Sequence, residues 1–279
     1  MSRKHPDRLR KQGSREEERR GFAPRSRRDA RIAATGRPPA YVACGAHAAR
    51  AFIVARPEQV ERLLLERHAS QELEALAAAR GVAIEHGDPG VLGRVAQGIV
   101  HQGIVAVGRP PAERPFDALV ADRPDLIVAL DGVTDPRNAG AIFRSAEAAG
   151  AGAILVGRDR APGLSPALVK AAAGAVEWLP VARVTNLARA LEGLSEAGYW
   201  LVGLAGDADR DLYDGSATPG FPLVLIVGSE GTGLRPIVRR ACHRLLRIPM
   251  RGRTESLNVS VAAAVAIFEL RRALGGGRQ

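Results

Sequence analysis

Residues 126–156 decide the fold: L-I-V-A-L at 126–130, D-G-V-T-D-P-R-N at 131–138, A-G-A-I-F-R-S-A-E-A-A at 139–149 and A-I-L-V at 153–156. Two short apolar runs flank a segment of helical length, and Gly150 suits the C-cap of that helix. The pattern predicts strands at Leu126–Leu130 and Ala153–Val156, with a helix at Asn138–Ala149 between them. Near-continuous apolar strands that alternate with helices are typical of a parallel sheet covered on both faces.

The same alternation continues to the C-terminus. Strands are predicted at Trp178–Val181, Trp200–Leu204, Leu223–Val227 and Leu245–Ile248, and helices from Ser165-Pro166 and over Leu257–Leu274. The predicted fold class is therefore α/β with a mainly parallel sheet. Ligands in such folds bind in the loops at the carboxyl ends of the strands. The loops after Leu130, Val227 and Ile248 are the candidate site.

A smaller unit of mixed α/β character precedes this sheet. Its predicted elements are helices at His47–Val54 and Gln71–Ala79 and strands at Val60–Leu64, Val82–Glu85 and Gly103–Val107. Three prolines within Gly108–Pro115 rule out a helix or a central strand there, which indicates a linker. The predicted organisation is a basic arm at 1–38, a small domain at 39–107, a linker at 108–115 and the large domain at 116–279.

Positive charge is concentrated at the N-terminus. Residues 1–40 hold 13 Lys or Arg and 5 Asp or Glu, which is +8 of the chain's net +10. Because residues 1–38 also lack apolar periodicity, they are predicted to form a disordered arm. Clustered positive charge suits a polyanion such as nucleic acid, since neutralising phosphates releases counterions. A solubilising tail without a specific partner is the alternative.

Several classes of protein are disfavoured by composition. The sequence has no apolar run of the roughly 18–20 residues that a membrane span needs, and its charged start does not resemble a secretion signal. Cys44 and Cys242 lie far apart without a CxxC pattern, so neither a disulfide framework nor a metal site is predicted. A reduced, cytoplasmic location without a membrane partner is expected.

Each of the three candidate loops carries polar side chains or glycines. In the first, Asp135-Pro136 makes a turn, Asn138 is placed to cap the following helix, and Arg144 lies six residues further on. An ordinary capped helix with a surface arginine is the alternative. The second, G-S-E-G-T-G-L at 228–234, permits close backbone approach but fits neither a Walker A loop nor the dinucleotide G-x-G-x-x-G pattern. Glu230 within it is a hydrogen-bonding anchor or an exposed charge.

The third loop runs into the last predicted helix. Ser256 and Asn258 lie where that helix begins and could act as caps, while Arg251 and Arg253 form a positive rim suited to phosphate. The helix also carries an apolar face, which indicates a homodimer. That face consists of Leu257, Val261, Val265 and Phe268, widened by Ile267 and Leu274.

Read together, the loops resemble the three motifs of the SpoU (TrmH-like) branch of the SPOUT RNA methyltransferases. The matching segments are D-P-R-N-A-G-A-I-F-R-S-A-E-A-A-G at 135–150, V-G-S-E-G-T-G-L at 227–234, and I-P-M with S-L-N-V-S-V-A within 248–262. Residues 41–107, with G-A-H-A-A-R and H-Q-G-I-V-A, resemble the L30e-like substrate-binding domain of many members. Segments 184–190 and 200–209 are most similar to members that methylate a guanosine of 23S rRNA. Leu204 departs from the small hydroxyl residue typical there.

The resemblance implies a catalytic domain with a trefoil knot that uses S-adenosylmethionine to methylate a ribose 2′-hydroxyl, without a metal. It implies an RNA partner, with 23S rRNA first and transfer RNA second, a homodimer, and no DNA. The implied cofactor-binding residues are Val227, Gly228, Ile248, Pro249, Met250, Leu257 and Asn258. The implied catalytic residues are Arg144, Asn138, Glu230, Ser256 and Asn258.

Chemistry refines the implied role of Arg144. A guanidinium rarely loses its proton in proteins, so Arg144 is interpreted as a clamp on the RNA phosphate that orients the hydroxyl. Asn138 would hold Arg144 or the ribose, Glu230 would order the glycine loop, and Ser256 and Asn258 would organise the third loop. A non-catalytic RNA-binding module and an enzyme that binds a phosphate ligand through the glycine loop are the other classes considered.

Overall fold

The computed structural model describes residues 41–214, 219–273 and 275, so the predicted arm at 1–38 lies outside the described residues. The strands are β1 Tyr41–Cys44, β2 Val60–Leu65, β3 Ile84–His86, β4 Ile104–Gly108, β5 Leu126–Asp131, β6 Ala153–Gly157, β7 Val181–Val184, β8 Trp200–Leu204, β9 Arg210–Asp211, β10 Leu223–Gly228 and β11 Arg244–Arg247. The helices are α1 Ala46–Ala55, α2 Gln71–Ala79, α3 Pro89–Val95, α4 Phe116–Asp122, α5 Pro136–Ala148, α6 Pro166–Ala172, α7 Leu187–Glu196, α8 Pro236–Ala241 and α9 Val259–Ala273.

Seven strands form one parallel sheet in the order β7-β6-β5-β10-β8-β11-β9. Side chains along β5 alternate between two buried clusters: Leu126, Val128 and Leu130 pack in one, and Ile127 and Ala129 in the other. Both faces of the sheet are therefore covered, and the predicted α/β fold with a parallel sheet is confirmed. The trefoil knot stays a prediction.

The small unit has its own sheet of four strands in the order β1-β4-β2-β3. Strand β4 is antiparallel to β1 and β2, and β2 is parallel to β3. The unit contacts the large one at Glu177, whose side chain is 1% exposed and accepts hydrogen bonds from the Arg56 guanidinium (2.6 Å) and the Tyr41 hydroxyl. Residues 109–115, between the two sheets, form neither helix nor strand, as the prolines predicted, but Gly108, the first residue of the predicted linker, is instead the last residue of β4.

The strand predicted at Trp178–Val181 is wrong. A short 3-10 helix occupies Ala175–Glu177, Trp178 is 52% exposed, and β7 begins only at Val181. Pro180 has no N–H to donate to a neighbouring strand, and it contributes only its carbonyl, which accepts from the Ile154 N–H. The proline therefore moves the start of the strand to its C-terminal side.

Two predicted helix starts are also wrong by two residues. Helix α5 begins at Pro136 because Asp135, not Asn138, is its N-cap: the Asp135 carboxylate accepts from the N–H groups of Arg137 (2.6 Å) and Asn138 (3.4 Å). Asp followed by Pro at the first helical position is a strong start signal. Helix α9 begins at Val259, so Leu257 precedes the helix.

Candidate active site

A cleft of about 290 Å³ opens where β8, β10 and β11 end. It is lined by residues 204–206 after β8, 227–231 and 233 at the end of β10 and in the glycine loop, 248, 250 and 255–257 after β11, and 259 and 262 of α9. Parallel strands β8, β10 and β11 point their carboxyl ends to one edge of the sheet, which is where ligands bind in this architecture. Two of the three predicted loops therefore form the walls of one cleft.

The glycine loop folds back on itself. Ser229 and Gly233 exchange backbone hydrogen bonds of 3.1 and 3.0 Å, and the Ser229 and Thr232 hydroxyls lie 2.6 Å apart. A Cβ atom at Gly228 would lie 2.2 Å from the carbonyl carbon of Gly233, so only glycine permits this turn. Gly231, at φ +84°, has the left-handed conformation that favours glycine.

Side-chain amides tie the three predicted loops together. The Asn138 amide donates to the Glu230 carboxylate over 3.2 Å, and the Asn258 amide donates to the Asn138 carbonyl oxygen over 3.0 Å. The Asn258 carbonyl oxygen in turn accepts from the Ser260 N–H (2.9 Å), so Asn258 caps α9. Asn138 thus bridges the second and third loops.

The predicted contact between Asn138 and Arg144 is not formed. Arg144 is exposed, does not line the cleft, and makes no hydrogen bond or ion pair with any residue that the structure describes. Six residues along a helix correspond to about 9 Å along the axis and about 120° around it, which turns the two side chains to different sides. Glu230 lines the cleft and accepts a hydrogen bond from Asn138, while the Ser229 and Thr232 hydroxyls close the loop itself.

Most of the predicted cofactor residues line the cleft. They are Val227, Gly228, Ile248, Met250 and Leu257, whereas Pro249 and Asn258 are not among the lining residues. Met250 and Leu257 are 40% and 37% exposed, so the cleft presents uncovered apolar surface. Ser256 also lines it, but its side chain makes no hydrogen bond within the described part of the chain.

Ala205 and Gly206 line the cleft but were missed by the sequence reasoning, which considered Leu204 alone in this segment. Their position follows from the strand order, because β8 lies between β10 and β11. The signal available in the sequence was the end of a predicted strand followed by small residues. Because strand order is a non-local property, that signal did not distinguish this strand end from the others.

A parallel α/β sheet with a glycine-lined cleft at its carboxyl edge defines a class of proteins that bind nucleotide-like ligands there. Family models show which family within this class the chain matches. The SpoU rRNA Methylase family model matches residues 125–268, and the model for RNA 2′-O ribose methyltransferase substrate binding matches residues 42–114. The chain belongs to the SpoU rRNA methylase family.

Individual relatives agree with this assignment. The 23S rRNA (guanosine-2′-O-)-methyltransferase RlmB of Pseudomonas putida is 42% identical over 81% of this chain and 93% of that protein. RlmB of Escherichia coli K12 is 42% identical over 81% of this chain and 95% of that protein.

Two solved structures with bound AdoMet are also similar. The rRNA methyltransferase of Sinorhizobium meliloti has 27% identity and a TM-score of 0.69, and covers 84% of this chain and 87% of that chain. AviRb of Streptomyces viridochromogenes has 26% identity and a TM-score of 0.73, and covers 90% of this chain and all of that one (100%).

Proposed function

We propose that this protein is an S-adenosylmethionine-dependent methyltransferase that methylates the ribose 2′-hydroxyl of a guanosine in 23S rRNA. The observation that carries the proposal is the cleft at the carboxyl edge of the sheet, built from the same segments that the SpoU family model matches. The substrate follows from relatives that are 42% identical over most of both chains and are named for that reaction.

The cleft suits S-adenosylmethionine in its apolar surface and its charge. Ile248, Met250 and Leu257 offer apolar surface for a planar base, and the glycine loop lets backbone groups come close to a ligand. Glu230 and Glu255 also line the cleft, and their carboxylates suit a ligand that carries a sulfonium and an ammonium group. When bound there, S-adenosylmethionine supplies an electrophilic methyl group. A metal is not required for this transfer, and the residues described contain no group of acidic, histidine or cysteine side chains that could hold one.

Arginines outside the cleft would hold the RNA. Arg144, Arg251 and Arg253 are exposed, and a guanidinium binds a phosphate through two parallel hydrogen bonds. We assign Arg144 the role of positioning the ribose hydroxyl and stabilising the negative charge that develops on its oxygen. In the transfer the O–CH3 bond forms, the S–CH3 bond of the donor breaks, and the hydroxyl proton passes to solvent water.

The small unit at 39–107 would bind the RNA substrate, in line with the family model that matches it. Its likeness to the L30e fold stays a prediction, as does a cytoplasmic location. Among the described helices, none combines the length and the apolarity needed to cross a bilayer.

A homodimer is the proposed assembly, through an exposed apolar stripe on α9. Val261 and Phe268 are 48% and 51% exposed and lie seven residues apart, on one face of the helix. Ile267, expected to widen that face, is instead fully buried in the core, and Leu274 lies outside the described residues.

Ribose methylation mapped in total RNA from a strain that lacks the gene tests the function. We expect one guanosine of 23S rRNA to lose its 2′-O-methyl group and to regain it when the gene is restored. Purified protein should transfer a labelled methyl group from S-adenosylmethionine to 23S rRNA from that strain. Loss of methylation from a transfer RNA instead, with 23S rRNA unchanged, would contradict the proposed substrate.

A further inference from the structure

Asp131 carries a buried carboxylate beside the glycine loop. It is the last residue of β5, and its side chain is 0% exposed. Removing a carboxylate from water is costly unless hydrogen bonds and an opposite charge replace the lost hydration. Asp131 does not line the cleft, so direct contact with a bound ligand does not explain its burial.

The Asp131 carboxylate binds one residue through both its backbone and its side chain. The Arg235 N–H donates to one carboxylate oxygen over 2.8 Å, and the Arg235 Nε donates to the other over 2.5 Å. Arg235 comes immediately after the loop segment 228–234 and precedes α8. The carboxylate therefore fixes both the direction of the chain and the side chain at the exit of the glycine loop.

The entrance of the same loop also lies at Asp131. Gly228 is paired directly with Asp131 in the register of β10 on β5. The two ends of the loop are thus held at one residue, and Ser229 to Gly233 fold back between them. Within that segment lies Glu230, which lines the cleft and binds Asn138.

We propose that Asp131 and Arg235 are positioning residues that hold the glycine loop in the shape that receives the cofactor. This inference rests on the proposed function, because it concerns the same cleft. Neither residue touches the cleft, so both act through the loop. A purely stabilising role is the competing explanation. Replacing a buried ion pair with apolar residues often leaves stability unchanged. A purely stabilising role therefore predicts normal cofactor affinity in a folded variant of that kind.

The test compares S-adenosylmethionine binding, measured by calorimetry, with thermal unfolding of the full-length protein. Asp131→Asn removes the charge and turns an amide N–H towards one of the two donors, so we expect the affinity to fall by at least about tenfold. Arg235→Lys keeps the charge and the backbone hydrogen bond, so its loss should be smaller. The double variant D131L/R235M should lose affinity as strongly as Asp131→Asn, even where its unfolding temperature matches the wild type.

Glu177→Gln is the matched control. It neutralises another buried carboxylate that binds an arginine, at the contact with the small unit and not at the loop. We expect it to leave the affinity for S-adenosylmethionine unchanged. Wild-type affinity in a folded D131L/R235M, or equal losses in Glu177→Gln and Asp131→Asn, would overturn the positioning role. If the wild type itself binds no S-adenosylmethionine, the proposed function fails first.

Discussion

The proposed catalytic role of Arg144 can be tested without disturbing the fold. Because it is exposed and makes no polar contact with the described residues, Arg144→Lys should leave folding and cofactor affinity unchanged. A lysine keeps the charge but loses the planar fork that holds a phosphate. Methyl transfer in single-turnover assays should fall by about 100-fold, which corresponds to about 2.7 kcal/mol.

Arg189→Lys is the control for that experiment, since Arg189 is also an exposed helical arginine, lies on α7 and does not line the cleft. Its turnover should equal that of the wild type. Near-normal turnover of Arg144→Lys would reduce Arg144 to an ordinary surface arginine.

The two cysteines are predicted to be unreactive. Burial disfavours the thiolate and raises the pKa of Cys44 to about 11 and that of Cys242 to about 12. At pH 8 roughly one Cys44 side chain in a thousand is then ionised, against roughly a quarter for a cysteine with a pKa of about 8.5. Iodoacetamide labelling followed by mass spectrometry should be slow for the native protein and fast after unfolding. Rapid labelling of native protein at pH 8 would contradict this.

At the scale of elements, the packing of α5 against α6 depends on Gly140. A Cβ atom there would lie 2.5 Å from the Leu168 carbonyl oxygen and 2.7 Å from the Ala171 Cβ. Alanine normally stabilises a helix over glycine by about 1 kcal/mol. At Gly140 these close contacts outweigh the helix preference for alanine. Gly140→Ala should therefore lower the free energy of unfolding by about 1–3 kcal/mol.

Gly193→Ala on α7 is the matched control for Gly140→Ala. A Cβ at Gly193 would meet only the edge of Phe116 at 3.8 Å, an ordinary contact. Urea unfolding should find this variant as stable as the wild type or more stable. A Gly140→Ala protein that is as stable as Gly193→Ala would show that α5 and α6 can separate freely.

The assembly of the whole molecule can be tested on α9. Phe268→Glu places a charge in the exposed apolar stripe and should convert a dimer into a monomer, because a buried unpaired carboxylate is costly. Light scattering at micromolar concentration should give twice the mass of one chain for the wild type. Ile237→Glu, at a residue on α8 that is 50% exposed, should stay dimeric. A monomeric wild type would refute the dimer.

The arm at 1–38 is predicted to act through charge alone. Each phosphate that a protein neutralises adds about 0.7–0.9 to the slope of log K against log salt. A protein without residues 1–38 should therefore bind RNA more weakly at low salt and show a flatter slope. Its discrimination among RNAs and its cofactor affinity should not change. Parallel plots for the intact and the truncated protein would leave the arm without an electrostatic role.

The sequence by itself determined the class of fold and the location of the site. Strands β5, β6, β8 and β10 lie within one residue of their predicted bounds, because a buried strand needs a continuous apolar run that is visible locally. The loops after Leu130, Val227 and Ile248 were identified for the same reason, as polar segments that follow such runs. Near Asp135 and Pro180, where two local signals indicated different boundaries, the predicted start of the helix or strand was wrong by a few residues.

Only the tertiary structure decided which residues meet. The hydrogen bonds of Asn138 to Glu230 and Asn258 span 92 and 120 positions of sequence, and the pair Asp131–Arg235 spans 104. These contacts depend on β10 lying beside β5 and on β8 lying between β10 and β11. Strand order arises from packing of the whole chain, and an apolar run has the same appearance in any position of a sheet. That is why the place of Ala205 and Gly206 in the cleft, and the contact of Asp131 with Arg235, became visible only once the strands were in place.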